Sequence, residues 1–298
     1  MMALKLPPDF NARVLHNEPL AKHTSWRVGG PADVYFAPRD VRDLIAFLRS
    51  LEPDTPIHWI GLGSNLLVRD GGIRGVVIAT LGVFNDLKRV EGNEVWAGSG
   101  VTCSKLAKQC VKWGLGAGEF FAGIPGTVGG ALAMNAGAFA GETWQHVVEV
   151  ETIDKDGTVR RRMASDYHAS YRRIEGPKNE WFLGARLRFE PRVDPSDAEI
   201  KVLLARRKAT QPIGELSCGS VFTNPPGDHA ARLIEAAGLK GYRIGGARVS
   251  EKHANFIIND GTATADELER MIEHVRETVA RVHGVMLAPE VRIVGQKK

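Results

Sequence analysis

Cysteine is scarce in this chain: three residues, Cys103, Cys110 and Cys218, among 298. An odd, sparse count argues against a disulfide framework, and with no C-x-x-C pair a structural zinc site is not expected. Long apolar runs are missing as well. No stretch approaches about 18 unbroken apolar residues, and the N-terminal 26 residues lack an apolar core followed by a small-residue cleavage site. Secretion and membrane spanning are disfavoured, so a cytoplasmic chain is expected. Nor is there a dense Lys/Arg run interleaved with aromatics. The short cluster Arg160-Arg161-Arg162 follows a hairpin turn and reads as a solvated strand, which makes nucleic acid an unexpected partner. No His/Asp/Glu cluster has metal-ligand spacing, so no catalytic metal is expected.

What is present describes a folded enzyme-sized protein. The hydrophobic fraction is 43% and the charged fraction 25%, ordinary for a globular chain long enough for two domains. The formal net charge of +4 suits either a mildly basic enzyme or one with an anionic ligand. Glycine numbers 33 and is clustered, as happens where the backbone must approach something closely or take positive φ.

Helical spacing of Val41, Leu44, Ile45, Leu48 and Leu51 after Asp40 predicts a capped helix. Further helices are expected over 102–113, where Cys103 and Cys110 share a face suited to core packing, from about 196 through 204, over 229–237, and over 265–283. The last has a capping box, Thr264 with Glu267, and a stop at Gly284. Strands are expected at 32–36, 57–60, 66–68, 75–79, 94–97, 181–189, 254–258 and 291–294, with a hairpin of 148–153 and 159–163 around Asp156-Gly157. Residues 1–30 read as irregular and 191–195 as a linker. Strands and helices mix without strict alternation, so the expected class is α+β.

Two glycine loops stand out. Gly61-Leu62-Gly63-Ser64-Asn65 runs from strand to strand, which excludes the dinucleotide-fold fingerprint, since that needs a third glycine and an immediate helix. No GK[ST] is present for a P-loop. Successive backbone N–H groups in such a turn can instead form a concave nest for an anion, with Ser64 and Asn65 adding donors. The longer loop from Gly123 to Gly130 can do the same on the opposite side of a pyrophosphate. Tight turns alone are the competing explanation; two loops together favour a ligand.

Seven segments, in order, carry a resemblance. They are His23-Thr24-Ser25-Trp26-Arg27-Val28-Gly29-Gly30; Gly61-Leu62-Gly63-Ser64-Asn65-Leu66-Leu67; Gly123-Ile124-Pro125-Gly126-Thr127-Val128-Gly129-Gly130 with Asn135-Ala136-Gly137-Ala138; Tyr171-Arg172; Gly219-Ser220-Val221-Phe222 with Asn224-Pro225; Ala237-Gly238-Leu239-Lys240-Gly241; and Pro289-Glu290-Val291. Over nearly its whole length the chain resembles the UDP-N-acetylenolpyruvoylglucosamine reductase family, in its shorter type without the inserted substrate loop. The resemblance implies a two-part FAD-binding region of the vanillyl-alcohol-oxidase-like kind plus a smaller α+β substrate domain. The limits expected are 1–80 and 81–205 for the FAD-binding parts and 206–288 for the substrate domain, with 289–298 able to pack back on the first part.

It also implies the chemistry: FAD, tightly but non-covalently held, with NADPH as hydride donor, reducing the enolpyruvyl double bond of a UDP-sugar in peptidoglycan precursor synthesis. A monomer is expected, acting on small molecules, with neither nucleic acid nor membrane as partner. Conjugate hydride addition leaves an enolate that must be stabilised and protonated on carbon. Arg172 suits the first task, because a guanidinium grips a carboxylate through two parallel bonds; Arg173 is a neighbouring decoy. Ser220 suits the second, since a weak acid can protonate a strongly basic enolate if well placed. A nucleophilic serine is disfavoured, because Cys218-Gly219-Ser220-Val221-Phe222 lacks the second glycine of the G-x-S-x-G elbow. Glu290 would hydrogen-bond the enol or help position the donor.

The resemblance places the cofactor against Gly61, Gly63, Ser64, Asn65, Gly123, Ile124, Pro125, Gly126, Thr127, Gly129, Gly130, Asn135, Ala136 and Gly137. Candidates for substrate contact are Tyr171 and, for diphosphate or carboxylate oxygens, Asn224, Lys240 and secondarily Lys252, with a capping or surface role as the competing explanation for these last three. Two departures from the family pattern are Thr223, where a basic residue is common, and Ile174, where a serine is usual. His23 and His253 read as ordinary hydrogen-bonded histidines. The competing functions are a flavin oxidase of the same fold and a non-catalytic nucleotide-binding module; a purified protein without colour would indicate the latter.

Overall fold

The computed structural model describes residues 7–11, 13–192 and 196–298. The chain forms two compact units. One comprises Met1–Leu15, Val34–Leu62 and Gly75–Arg206; the other comprises His16–Asp33, Gly63–Arg74 and Arg207–Lys298. Mixed helix and sheet make the class α+β.

In the first unit the main sheet has five antiparallel strands, in the order Val159–Met163, Val147–Asp154, Glu180–Arg188, Glu94–Gly98, Leu87–Arg89. The hairpin forms where Asp156-Gly157 predicts it. Asp154 Oδ1 accepts from the amides of Asp156 (3.0 Å) and Thr158 (2.9 Å), which lets the chain reverse without orphaned donors. The basic trio is largely neutralised here: Arg160 pairs with Asp154, Arg162 with Glu180, and Arg161 faces solvent. The helix Cys103–Lys112 buries Cys103, Leu106, Ala107 and Cys110 along one stripe. Both thiols are in the core, and burial pushes each up to about 12, far from a reactive range. The helix Val41–Arg49 starts at Asp40, whose side chain accepts from Asp43 N–H, and buries Leu44, Phe47 and Leu48. Phe47 stacks on Phe36 with ring centroids 3.9 Å apart.

The linker expected over 191–195 differs at its start, and residues 193–195 lie outside the described residues. Glu190–Pro191 pairs with Leu115–Gly116 as a short antiparallel ladder, and Arg192 N–H donates to Gly114 O at 2.8 Å. Gly114, in the left-handed region at φ 69°, turns the chain there.

In the second unit the helix Ala265–His283 buries Leu268, Met271, Ile272, Val275 and Val279, and the capping box of Thr264 and Glu267 is formed. It packs against the helix Ala230–Ala236 and a three-stranded sheet ordered Arg243–Ile244, Ala247–Val249, Ile257–Asn259. The first two of those strands were not legible, being two and three residues long. Leu66–Val68 pairs in parallel with Arg292–Val294. Arg69 grips Glu269 through two bonds, at 2.8 and 2.9 Å, and Asp70 accepts from the first helical amides, Ala265 and Asp266. The segment read as irregular at the N-terminus contributes a core residue: Trp26 is fully buried, donating from Nε1 to Ile257 O at 2.7 Å. Its carbonyl accepts from Asn259 Nδ2 at 2.7 Å. Among the described residues no helix is long and apolar enough to cross a membrane.

Candidate active site

The first unit holds the glycine run and Arg172. Gly61 meets the second loop directly: a Cβ there would lie 2.5 Å from Thr127 Oγ1. Thr127 is buried, and its hydroxyl caps the helix Val128–Met134 by accepting from Gly130 N–H. The 124–129 segment is pinned by Cys103 N–H to Gly126 O (2.9 Å) and Val128 N–H to Val101 O (2.8 Å). Packing against protein explains several glycines, since a side chain on Gly123 would strike Phe139 and one on Gly129 would strike Ser99. Gly130 differs. It is exposed, helical, and would place a Cβ no closer than 3.8 Å to anything but itself and its helix. A glycine costs a helix about 1 kcal/mol relative to alanine, so its presence without a packing reason marks room kept for something else.

Asn135, at φ 46°, ends that helix in the left-handed region. Both of its amide hydrogens are used: Nδ2 donates to Glu142 Oε2 (2.9 Å) and Ser170 O (3.0 Å), while Oδ1 accepts from Trp144 N–H (3.0 Å). Asn135 is therefore a strut between the glycine run and the hairpin of His168–Ser170 and Arg173–Glu175. Tyr171 and Arg172 form that hairpin's two-residue turn, with Arg172 itself at φ 58°. Arg172 Nη2 donates to Gly137 O at 3.0 Å, and its guanidinium lies 5.1 Å from the centroid of the half-exposed Tyr171 ring. The departure at Ile174 is accounted for by packing, since this side chain lies against the main hydrophobic core. The decoy Arg173 is exposed and pairs with Glu175.

The second unit brings Ser220 and Glu290 onto neighbouring segments. Glu290 N–H donates to Val221 O at 2.7 Å, Thr223 N–H donates to Ala288 O at 3.0 Å, and Phe222 bridges to Pro289. Cys218, two residues before Ser220, is buried; burial raises its thiol well above the ordinary value, and the charge of Glu290 adds to the rise. Asn65 reaches the same place: Nδ2 donates to Glu290 O at 3.1 Å and its carbonyl accepts from Arg292 N–H. Gly63 takes φ 66° and its carbonyl accepts from Ser25 N–H, so the loop of Gly63, Ser64 and Asn65 is fixed between these segments. The other polar candidates have protein partners. Asn224 Oδ1 accepts from Ala230 N–H at the start of a helix, Lys240 pairs with Glu235 at 2.7 Å, and Lys252 donates to Lys208 O. The departure Thr223 turns its hydroxyl to Ala288 O. Among the described residues no group of three His, Cys, Asp or Glu side chains is placed to hold a metal ion.

Residues 32–162 match the FAD binding domain family, and residues 211–294 match the family described as UDP-N-acetylenolpyruvoylglucosamine reductase, C-terminal domain. The UDP-N-acetylenolpyruvoylglucosamine reductase of Alkalilimnicola ehrlichii is 60% identical over 282 residues, covering 94% of this chain and 94% of that protein. The chain belongs to the UDP-N-acetylenolpyruvoylglucosamine reductase family. The reductase of Methylococcus capsulatus is 54% identical over 95% of this chain and 93% of its own length. The crystal structure of the Thermus caldophilus UDP-N-acetylenolpyruvylglucosamine reductase superposes with a TM-score of 0.80 at 32% identity, over 94% of this chain and 98% of that one. As a member of this reductase family the chain is an FAD-dependent oxidoreductase.

For a reductase of this family the residues of the first unit fit the cofactor. Against Gly129, Ser99 carries a buried hydroxyl without a hydrogen-bond partner among the described residues. Its carbonyl accepts from Gly129 N–H at 2.9 Å, which sets it against the glycine run. A buried unpaired hydroxyl next to such a loop is the mark of a group that a ligand completes. Sequence reading missed Ser99, because it lies between Gly98 and Gly100 in an ordinary strand end and carries no spacing signal.

Proposed function

We propose that this chain reduces UDP-N-acetylglucosamine-enolpyruvate to UDP-N-acetylmuramate with NADPH, as a cytoplasmic monomer supplying a peptidoglycan precursor. FAD supplies the hydride when bound, having received it from NADPH. On this reading 1–80 and 81–205 carry FAD and 206–288 the substrate, with Tyr171, Asn224, Lys240 and Lys252 along the substrate.

The chain's own residues do the rest. Hydride enters at the methylene carbon of the enolpyruvyl group, and the electron pair of the double bond moves toward the carboxylate. Arg172, always charged and already oriented by Gly137 O, stabilises that growing charge. Ser220 then gives its proton to the α-carbon, and solvent restores the hydroxyl. Glu290 orients the serine hydroxyl or the enol oxygen. The observation that carries this reading is the 2.7 Å bond from Glu290 N–H to Val221 O, which sets a carboxyl-bearing and a hydroxyl-bearing residue on paired segments.

The test is product identity. Turnover in D2O with NADPH yields a product that carries one solvent-derived deuterium at the α-carbon. A product with no deuterium at the α-carbon contradicts the assignment.

A further inference from the structure

Ser220 is held in place through its neighbours. Its hydroxyl makes no hydrogen bond among the described residues, and on its N-terminal side Gly219 is left-handed at φ 84° with nothing within 4 Å of where a Cβ would sit. On the C-terminal side the chain is clamped. The side chain of Asn255, 4% exposed, accepts from Phe222 N–H through Oδ1 at 2.9 Å and donates through Nδ2 to Phe222 O at 2.8 Å. The main-chain carbonyl of Asn255 accepts from Val221 N–H at 2.9 Å. One buried residue thus satisfies three polar groups on the two residues that follow Ser220.

The carboxamide here takes the part of a neighbouring strand. An amide side chain presents one donor and one acceptor in a plane, matching the C=O and N–H of a single residue, and no other side chain does so without charge. On the opposite edge, Val221 O receives Glu290 N–H. Asn255 and Glu290 therefore hold the same short segment from its two sides, with Ser220 at its end.

We infer that Asn255 is a positioning residue for proton delivery, fixing the Ser220 hydroxyl through the Val221-Phe222 backbone. The inference rests on Ser220 being the proton donor. Carbon protonation depends on the donor's distance and angle to one face of the α-carbon, and small misplacements are expensive in rate. That carbon becomes a stereocentre when the proton arrives, so the configuration of the product records which face was served.

The experiment uses flavin-loaded Asn255→Asp, which keeps the size and the acceptor but sets a second oxygen against Phe222 O, and Asn255→Ser, which adds no charge. Rates are taken per bound flavin under anaerobic conditions, with Ser220→Ala alongside. Flavin reduction by NADPH is expected to stay within about twofold of the parent, while reoxidation by saturating enolpyruvyl substrate slows by roughly tenfold to a hundredfold. Some product of the opposite α-carbon configuration accompanies the slower step. Melting temperature is recorded in parallel, because a purely structural asparagine would lower it and leave both per-flavin rates and the configuration unchanged. That outcome, or equal loss in both half-reactions, overturns the inference. If Ser220→Ala slows reoxidation and the Asn255 variants do not, the inference alone fails. If Ser220→Ala leaves reoxidation intact, the proton-donor assignment fails and takes the inference with it.

Discussion

Arg172 Nη2 donates to the carbonyl oxygen of Gly137 at 3.0 Å, tying a charged hairpin turn to the end of the glycine run. The bond uses one edge of the guanidinium and restrains its orientation. Arg172→Lys should keep the charge but lose that orientation, because an ammonium is a point donor without the fork. Substrate-dependent flavin reoxidation should fall by roughly ten- to a hundredfold, with NADPH-dependent reduction little changed. Stopped-flow absorbance of the two half-reactions checks this.

Ser220→Ala should leave flavin reduction by NADPH largely intact and slow the substrate half-reaction by roughly a hundredfold or more, the usual range for a lost general acid. Equal loss in both halves would remove Ser220 from the proton-donor role.

Gly130 and Gly61 should respond differently to the same small substitution. Gly130→Ala fills open space on a helix, so the flavin-free protein should gain up to about 1 kcal/mol in stability, while FAD affinity falls. Gly61→Ala must push Thr127 aside and should destabilise the protein with or without flavin. Denaturant unfolding of stripped protein together with flavin titration separates the two. Unchanged FAD affinity in Gly130→Ala would contradict a cofactor role for that position.

Acid sensitivity has an identifiable contributor. The Arg13 guanidinium, bound to both carboxylate oxygens of Asp43, lowers that carboxyl from 3.8 to about 2. A group depressed in the folded state stabilises above its unfolded value, and the contribution is lost as pH falls from near 4 toward 2. Asp43→Asn should lower stability at neutral pH and flatten the stability profile across that window. Thermal melts at a series of pH values measure both effects.

Much of the fold was legible because it is written locally. The helix Ala265–His283 follows from its apolar period, capping box and Gly284, and the hairpin at Asp156-Gly157 follows from its turn residues. The buried cysteines follow from their seven-residue spacing on one helix. What stayed hidden depends on partners distant in sequence. Trp26 sits in a segment with no pattern and finds its place through Ile257 and Asn259. The clamp of Asn255 on Phe222 spans 33 residues, and no local rule points to it. Within the glycine-rich run, the close protein contacts at Gly123 and Gly129 and the bonds of the Asn135 amide to Glu142 and Ser170 are likewise set by partners that no local motif reveals.

The most direct measurement is an anaerobic two-step reaction followed at the absorbance of oxidised flavin. NADPH should bleach the protein-bound flavin, and UDP-N-acetylglucosamine-enolpyruvate added without oxygen should restore the colour, one equivalent for each flavin. Colour that returns only when air is admitted would contradict the account and point to an oxidase.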